Sequence, residues 1–134
     1  MITLNYFDLG LHKDAPEIDM FINLCVENNF NYNIWGFETH PEYSIKLIEK
    51  YKDNKNVKII NGAICDHNSK IKLYIADSND GEGNSIFKSK NNINIKNNVE
   101  VDGIIFSEWL FEMYLILNLV IIYYGLILKV LNGI

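Results

Sequence analysis

Two apolar runs that each end on a polar residue, with one amphipathic stretch between them, leave this chain few folds to adopt. Residues 2–9 are apolar and aromatic and stop at Gly10, and residues 33–38 form a second such run that ends in Glu38. Between them Ile18, Phe21, Ile22, Cys25 and Val26 recur at i, i+3, i+4, i+7 and i+8, which is one face of a helix. Asp14-Ala15-Pro16-Glu17 reads as that helix's start. Asp14 is placed to accept a backbone N–H as N-cap, proline is tolerated in the first turn, and Glu17 takes the capping-box position. Asn28-Asn29 ends it. Strand, helix and strand with short links make a parallel crossover.

The unit then repeats. Thr39-His40-Pro41-Glu42 opens a second helix with Pro41 at its first position. Ile45, Ile48 and Tyr51 are expected inward, with Glu42 and Lys46 paired at i, i+4 outside. Residues 57–61 form a third strand. In 134 residues this amounts to one domain, whose expected fold is an incomplete doubly wound, Rossmann-like α/β sheet. Beyond it the pattern changes. Residues 70–76 alternate Ile71, Leu73, Ile75 against Lys70, Lys72, Tyr74, as a half-exposed strand does. Residues 77–84 are polar and read as a loop. Ile93, Ile95, Val99 and Val101 indicate a strand or strand pair broken at Asn97-Asn98, in a stretch (88–98) read as a loop or edge hairpin. Ser107-Glu108-Trp109-Leu110 starts a short helix.

Twelve Lys, no Arg and 17 acidic residues give a net charge of −5, which argues against nucleic-acid binding because that needs a basic face. Cys25 and Cys65 make no disulfide framework and fit a reducing, cytoplasmic setting. Cys25 lies on the apolar helix face and is expected in the core; Cys65 reads as a pocket-wall or core thiol. His12, His40 and His67 each follow a strand end, but their spacing supports no metal site, and they are read as solvated loop histidines.

The candidate chemistry lies at the strand ends. A glycine turn after one strand, with a carboxylate at the end of the next, is the arrangement in which the acid takes the ribose hydroxyls of a nucleoside. Gly10 and Glu38 supply it. The turn lacks the further glycines of a pyrophosphate site, and Asp14 puts a negative charge where a phosphate would meet the helix start. A nucleoside ligand without phosphates fits better.

The ordered set of short motifs resembles the FkbM-type S-adenosylmethionine-dependent methyltransferases over residues 2–110. The matching pieces are Phe7-Asp8-Leu9-Gly10, Phe37-Glu38-Thr39-His40-Pro41, Asn61-Gly62-Ala63-Ile64, Lys72-Leu73-Tyr74, the Gly83-Asn84-Ser85 loop and the segment from Val99 to Leu110. The resemblance implies S-adenosylmethionine as cofactor, with O-methylation of a small molecule or sugar as the ancestral reaction. It places Asp8 and Gly10 at the methionine end, Glu38 on the ribose, and Ala63 and Ile64 beside the adenine, with Leu11 and Thr39 in the same binding set. No catalytic residue and no metal ligand is implied. One departure is Asp14, which stands where the family usually has a second glycine; its charge is expected near the cofactor carboxylate.

Residues 111–134 are expected to be an apolar tail distinct from the 1–110 domain. From Met113 to Leu128 no residue is charged, yet this run is shorter than the ~20 residues of a membrane span, so membrane association through 113–128 is the less favoured reading. An out-of-frame tail has direct support. Leu126 to Gly133 can be encoded TTA-ATA-TTG-AAG-GTG-CTG-AAT-GGA, and reading from the third base gives Asn-Ile-Glu-Gly-Ala-Glu-Trp, the family's next strand motif. The expectation is a truncated methyltransferase lacking its C-terminal half. The alternative is a non-catalytic, membrane-associated interaction module on a degenerate nucleoside-binding fold.

Overall fold

The computed structural model describes residues 1–76, 83–89 and 93–123, without the side chains of 93, 94 and 116–123. The described residues form a mixed α/β fold with three helices: β1 (Thr3–Asp8), α1 (Pro16–Glu27), β2 (Asn31–Glu38), α2 (Pro41–Tyr51), β3 (Val57–Asn61), β4 (Ala63–Ile64), β5 (Lys70–Ala76), β6 (Ile93–Ile104) and α3 (Phe106–Tyr123). The chain divides into two units, Met1–Ile104 and Ile105–Ile134.

In the first unit β1, β2 and β3 make a parallel sheet in that order, with Asp8 level with Gly36 and Glu38 level with Asn61. The apolar face of this sheet collects Leu11, Ala15 and Ile18 with Ile34, Leu47, Tyr51 and Val57 into one core, so both helices pack on the same cluster. Polar contacts tie the helices together. The Tyr51 hydroxyl donates to Asp19 Oδ1 at 2.7 Å and lies 3.2 Å from the Ala15 carbonyl oxygen, while Lys50 Nζ donates to Asp19 Oδ2 at 2.6 Å. Burial, with the Asp19 hydrogen bond next, pushes the Tyr51 hydroxyl up to about 12.

Several side chains fall elsewhere than the periodicity placed them. On α2 the inward residues are Ser44, Leu47 and Tyr51, while Ile45 and Ile48 are 67% and 49% exposed. Leu47 and Tyr51 are four apart and share a stripe; Ile45 and Ile48 lie beside it, and the Tyr51 clasp on α1 fixes which stripe turns inward. Lys46 sits 5.8 Å from the centroid of the Tyr43 ring, and the expected Glu42–Lys46 bridge does not occur among the described ion pairs. On α1, Ile18 and Cys25 are buried as expected, but Val26, in the last turn, is exposed.

The second sheet of this unit has the order β4-β6-β5. β4 is parallel to β6, and β5 is antiparallel to it, around a small core of Ala63, Leu73 and Val101. Asn97-Asn98 does not break the strand. β6 runs through it with an irregularity instead: Tyr74 faces Asn98 whereas Ala76 faces Ile93, and Asn98 Nδ2 donates to the Ile95 carbonyl at 3.1 Å. Tyr74, expected on the exposed face of β5, is buried because its backbone exchanges two hydrogen bonds with Ser85, which brings residues 83–85 across that side. Residues 77–82 of the expected loop lie outside the described residues.

The second unit is described through α3. This helix runs unbroken past residue 110, well beyond the short start expected at Ser107, and the Phe106 and Trp109 rings stack 6.0 Å apart. Among the described residues no helix is long and apolar enough to cross a membrane. Residues 124–134, with most of the expected tail's side chains, lie outside the description.

Candidate functional site

A cavity of about 410 Å³ opens at the C-terminal ends of β1 and β2. Gly10, Leu11, His12, Lys13 and Glu17 line it from the first strand–helix crossing; Glu38, Thr39, His40 and Tyr43 line it from the second. Leu73, Gly83 and Asn84 close a further wall. This is where a parallel sheet leaves room, because each chain turns away into its helix at the strand end.

Glu38 is the group the fold isolates most. Its side chain is 6% exposed, and Oε1 accepts the His40 N–H at 2.6 Å. Burial holds the carboxyl above its ordinary range; the amides of His40 and Thr39, and the charge of His12, pull the other way without cancelling it. The backbone around Glu38 is fixed from β3. Asn61 Nδ2 donates to the carbonyls of Glu38 (2.8 Å) and Thr39 (3.2 Å), and the Gly62 N–H donates to the Glu38 carbonyl at 3.1 Å. One side chain therefore sets the exit angle of β2, and with it the direction of Glu38.

Gly10 and Leu11 belong to the same wall for different reasons. A Cβ on Gly10 would meet no protein atom within 4 Å, so nothing in the chain's own packing requires glycine there, and the backbone is left bare toward the cavity. Leu11 is buried, and its N–H donates to the Phe37 carbonyl at 3.0 Å. Its side chain lies where a Cβ on Gly36 would be, at 2.5 Å, so the glycine of β2 admits the leucine of the first turn.

Thr39 also lines this cavity, whereas Asp8, Ala63, Ile64 and Asp14 do not. Asp8 is engaged within its own turn, with Oδ2 accepting the Tyr6 hydroxyl at 2.9 Å and Oδ1 accepting the Gly10 N–H at 3.2 Å. Burial first, then the bond to Asp8, pushes the Tyr6 hydroxyl up to about 12, and the charge of Glu17 adds to this. Ala63 is buried in the second core, and Ile64 pairs with Ile104; neither lines the cavity. Asp14 caps nothing. The N-cap of α1 is Ala15, in the left-handed region at φ 48°, ψ 54°, and the helix starts there without a side-chain cap. Asp14 is exposed, its N–H donates to His12 Nδ1 at 3.3 Å, and it is not among the cavity residues.

His40, expected as a solvated loop residue, is half-buried and stacked on Tyr43 with ring centroids 4.3 Å apart. Its Nδ1 is buried with no hydrogen-bond partner among the described residues, and burial lowers its pKa, which favours the uncharged ring on the cavity wall. Tyr43, Lys13 and Glu17 were not singled out as ligand-binding residues from the sequence. For Tyr43 the signal was available: an aromatic in the first turn of a helix that opens beside the strand-end acid. Elsewhere, Cys65, Asp66 and His67 bring their ligand atoms within 4.8 Å of one another. These atoms already bond locally, Cys65 Sγ to the His67 carbonyl and Asp66 Oδ1 to His67 Nδ1, on an exposed turn outside the cavity.

No family model matches the chain, and no curated protein or solved structure matches it either.

Proposed function

We propose that the cavity binds the nucleoside part of S-adenosylmethionine and that the chain is the front part of a methyltransferase fold of the FkbM type, an incomplete doubly wound sheet whose ancestral reaction is O-methylation of a small molecule or sugar. The observation that carries this is the placement of Glu38. A buried carboxylate that accepts an amide of its own turn, on a backbone held by Asn61, lines a cavity that the bare backbone of Gly10 lines as well. A carboxylate so placed accepts two adjacent hydroxyls of a ribose, while the glycine wall lets the 5′ side of the sugar approach the main chain. The His40–Tyr43 stack offers a flat, neutral surface of the kind a purine packs against.

Transfer of a sulfonium methyl requires the acceptor oxygen in line with the sulfur–carbon bond, so most of the protein's contribution is positioning. Calorimetric titration with S-adenosylhomocysteine tests the reading. Binding to the wild-type chain and a loss of at least about tenfold in Glu38→Ala are expected, since each charge-assisted hydrogen bond contributes about 1.5–3 kcal/mol. No binding of any adenine nucleoside would overturn it.

A further inference from the structure

Cys65, Asp66 and His67 stand on the turn between β4 and β5, outside the strand-end cavity. Along a strand, successive side chains point to opposite faces. On this turn they converge instead: the thiol, a carboxylate oxygen and an imidazole nitrogen all lie within 4.8 Å of one another. We propose that these three side chains bind a zinc ion, whatever the cavity binds.

The donor set selects the metal. Thiolate, imidazole and carboxylate are the ligands of zinc, whereas calcium and magnesium take oxygen donors. With metal–ligand bonds of about 2.0–2.3 Å, two donors on a tetrahedral zinc lie ~3.5 Å apart. Asp66 Oδ1 and His67 Nδ1 are now hydrogen-bonded at 2.6 Å, and they need part by only about an ångström for an ion to replace the proton between them. The thiol, no more than 4.8 Å from either, closes the third side. Charge balances as well. Binding releases the Cys65 thiol proton to water, so one thiolate and one carboxylate neutralise the dication while His67 stays neutral. The bond to Sγ replaces the one that the thiol now gives to the His67 carbonyl at 3.2 Å. Three protein donors leave the fourth position to water.

The backbone fixes where the thiol stands. The Cys65 N–H donates to the Ile104 carbonyl at 3.0 Å and the Gly103 N–H donates to the Ser69 carbonyl at 2.8 Å, so both ends of the turn are fastened to β6. A Cβ on Gly103 would fall 2.8 Å from Cys65 Sγ and 2.5 Å from the His67 carbonyl oxygen, so the glycine is what lets the turn lie this close. Cys65 is half-buried whereas Asp66 and His67 are exposed, which gives an ion its entry path.

The experiment titrates the full chain, reduced and freed of metal, with Zn²⁺ against a chromophoric chelator of micromolar affinity, and with Co²⁺ as a spectroscopic probe. One zinc per chain is expected, with a thiolate-to-cobalt absorption band in the near ultraviolet. Cys65→Ser should lose the band. Asp66→Asn and His67→Gln should each weaken zinc binding by at least about tenfold, the least that loss of an outer-shell partner costs. Asp66 is 95% exposed, so its variant tests the site with the packing of the chain unchanged. No zinc taken from the chelator, a cobalt band that survives Cys65→Ser, or an unchanged zinc affinity in either of the other two variants would overturn the proposal.

Discussion

The chain passes from strand to helix twice in its parallel half, and the two crossings are built differently. Residues 9–15 separate β1 from α1, whereas only Thr39 and His40 separate β2 from α2. Both helices start on proline and neither has a side-chain cap. Each strand ends in a carboxylate. Asp8 folds back onto its own turn, and the chain reaches α1 through a buried Ala15 in the left-handed region. Glu38 also accepts an amide of its own turn, from His40, but its backbone is held by Asn61 and it lines the cavity, which Asp8 does not. Both crossings bring charge to the cavity, the long one through Lys13 and Glu17 and the short one through the buried Glu38.

The strongest test of that contrast exchanges the fates of the two acids. Glu38→Ala should cost at least about tenfold in S-adenosylhomocysteine affinity, from hydroxyl contacts of about 1.5–3 kcal/mol each, whereas Asp8→Asn should leave the affinity within about threefold and lower stability by ~1 kcal/mol. Equal losses of affinity would erase the distinction. Next in size is Gly36→Ala, which thrusts a methyl into Leu11 and should destabilise by about 1–3 kcal/mol in chemical denaturation. A neutral result would mean that Leu11 moves freely and that the two crossings are not coupled.

Glu38→Gln sharpens the comparison through pH. Burial raises the folded-state pKa of Glu38, so the folded chain holds that proton more tightly than the unfolded one. Its contribution to stability is fully present below the ordinary carboxylate pKa and is lost as pH rises through the elevated folded value. The glutamine variant should therefore show a higher Tm than wild type at neutral pH and a flatter profile across the acidic range, together with weaker ligand binding. A wild-type Tm that does not depend on Glu38 at any pH would contradict this. The smallest effect is expected from Asp14→Gly, less than about 0.5 kcal/mol in affinity, because Asp14 is exposed and outside the cavity.

What the residues disclose in advance follows from how local each signal is. The bounds of β3 and β5 and the start of α2 at Pro41 are set by neighbouring residues and were legible. Glu38 was legible as a strand-end acid, and so was the glycine at position 10. The inward face of α2 was not, since it depends on the Tyr51 hydroxyl meeting Asp19 on another helix. Asp14 looked like a better cap than Ala15. The turn goes the other way: Ala15 is wholly buried against the core, and its carbonyl lies near Tyr51. The engagement of Asp8 by Tyr6 is a contact between residues on one face of a strand, visible in principle from their i, i+2 spacing.

The Asn61 clamp also orders events in time. Glu38 and Asn61 are 23 residues apart, and their backbone–side-chain bond cannot form until β3 has docked on β2. Helices assemble from local contacts in microseconds or less, while strand pairing across an intervening helix must first close a long loop. During refolding, α1 and α2 can be present before the strand-end cavity exists. A ligand added to the refolding chain would therefore report the arrival of the third strand, and its signal should lag the helical one.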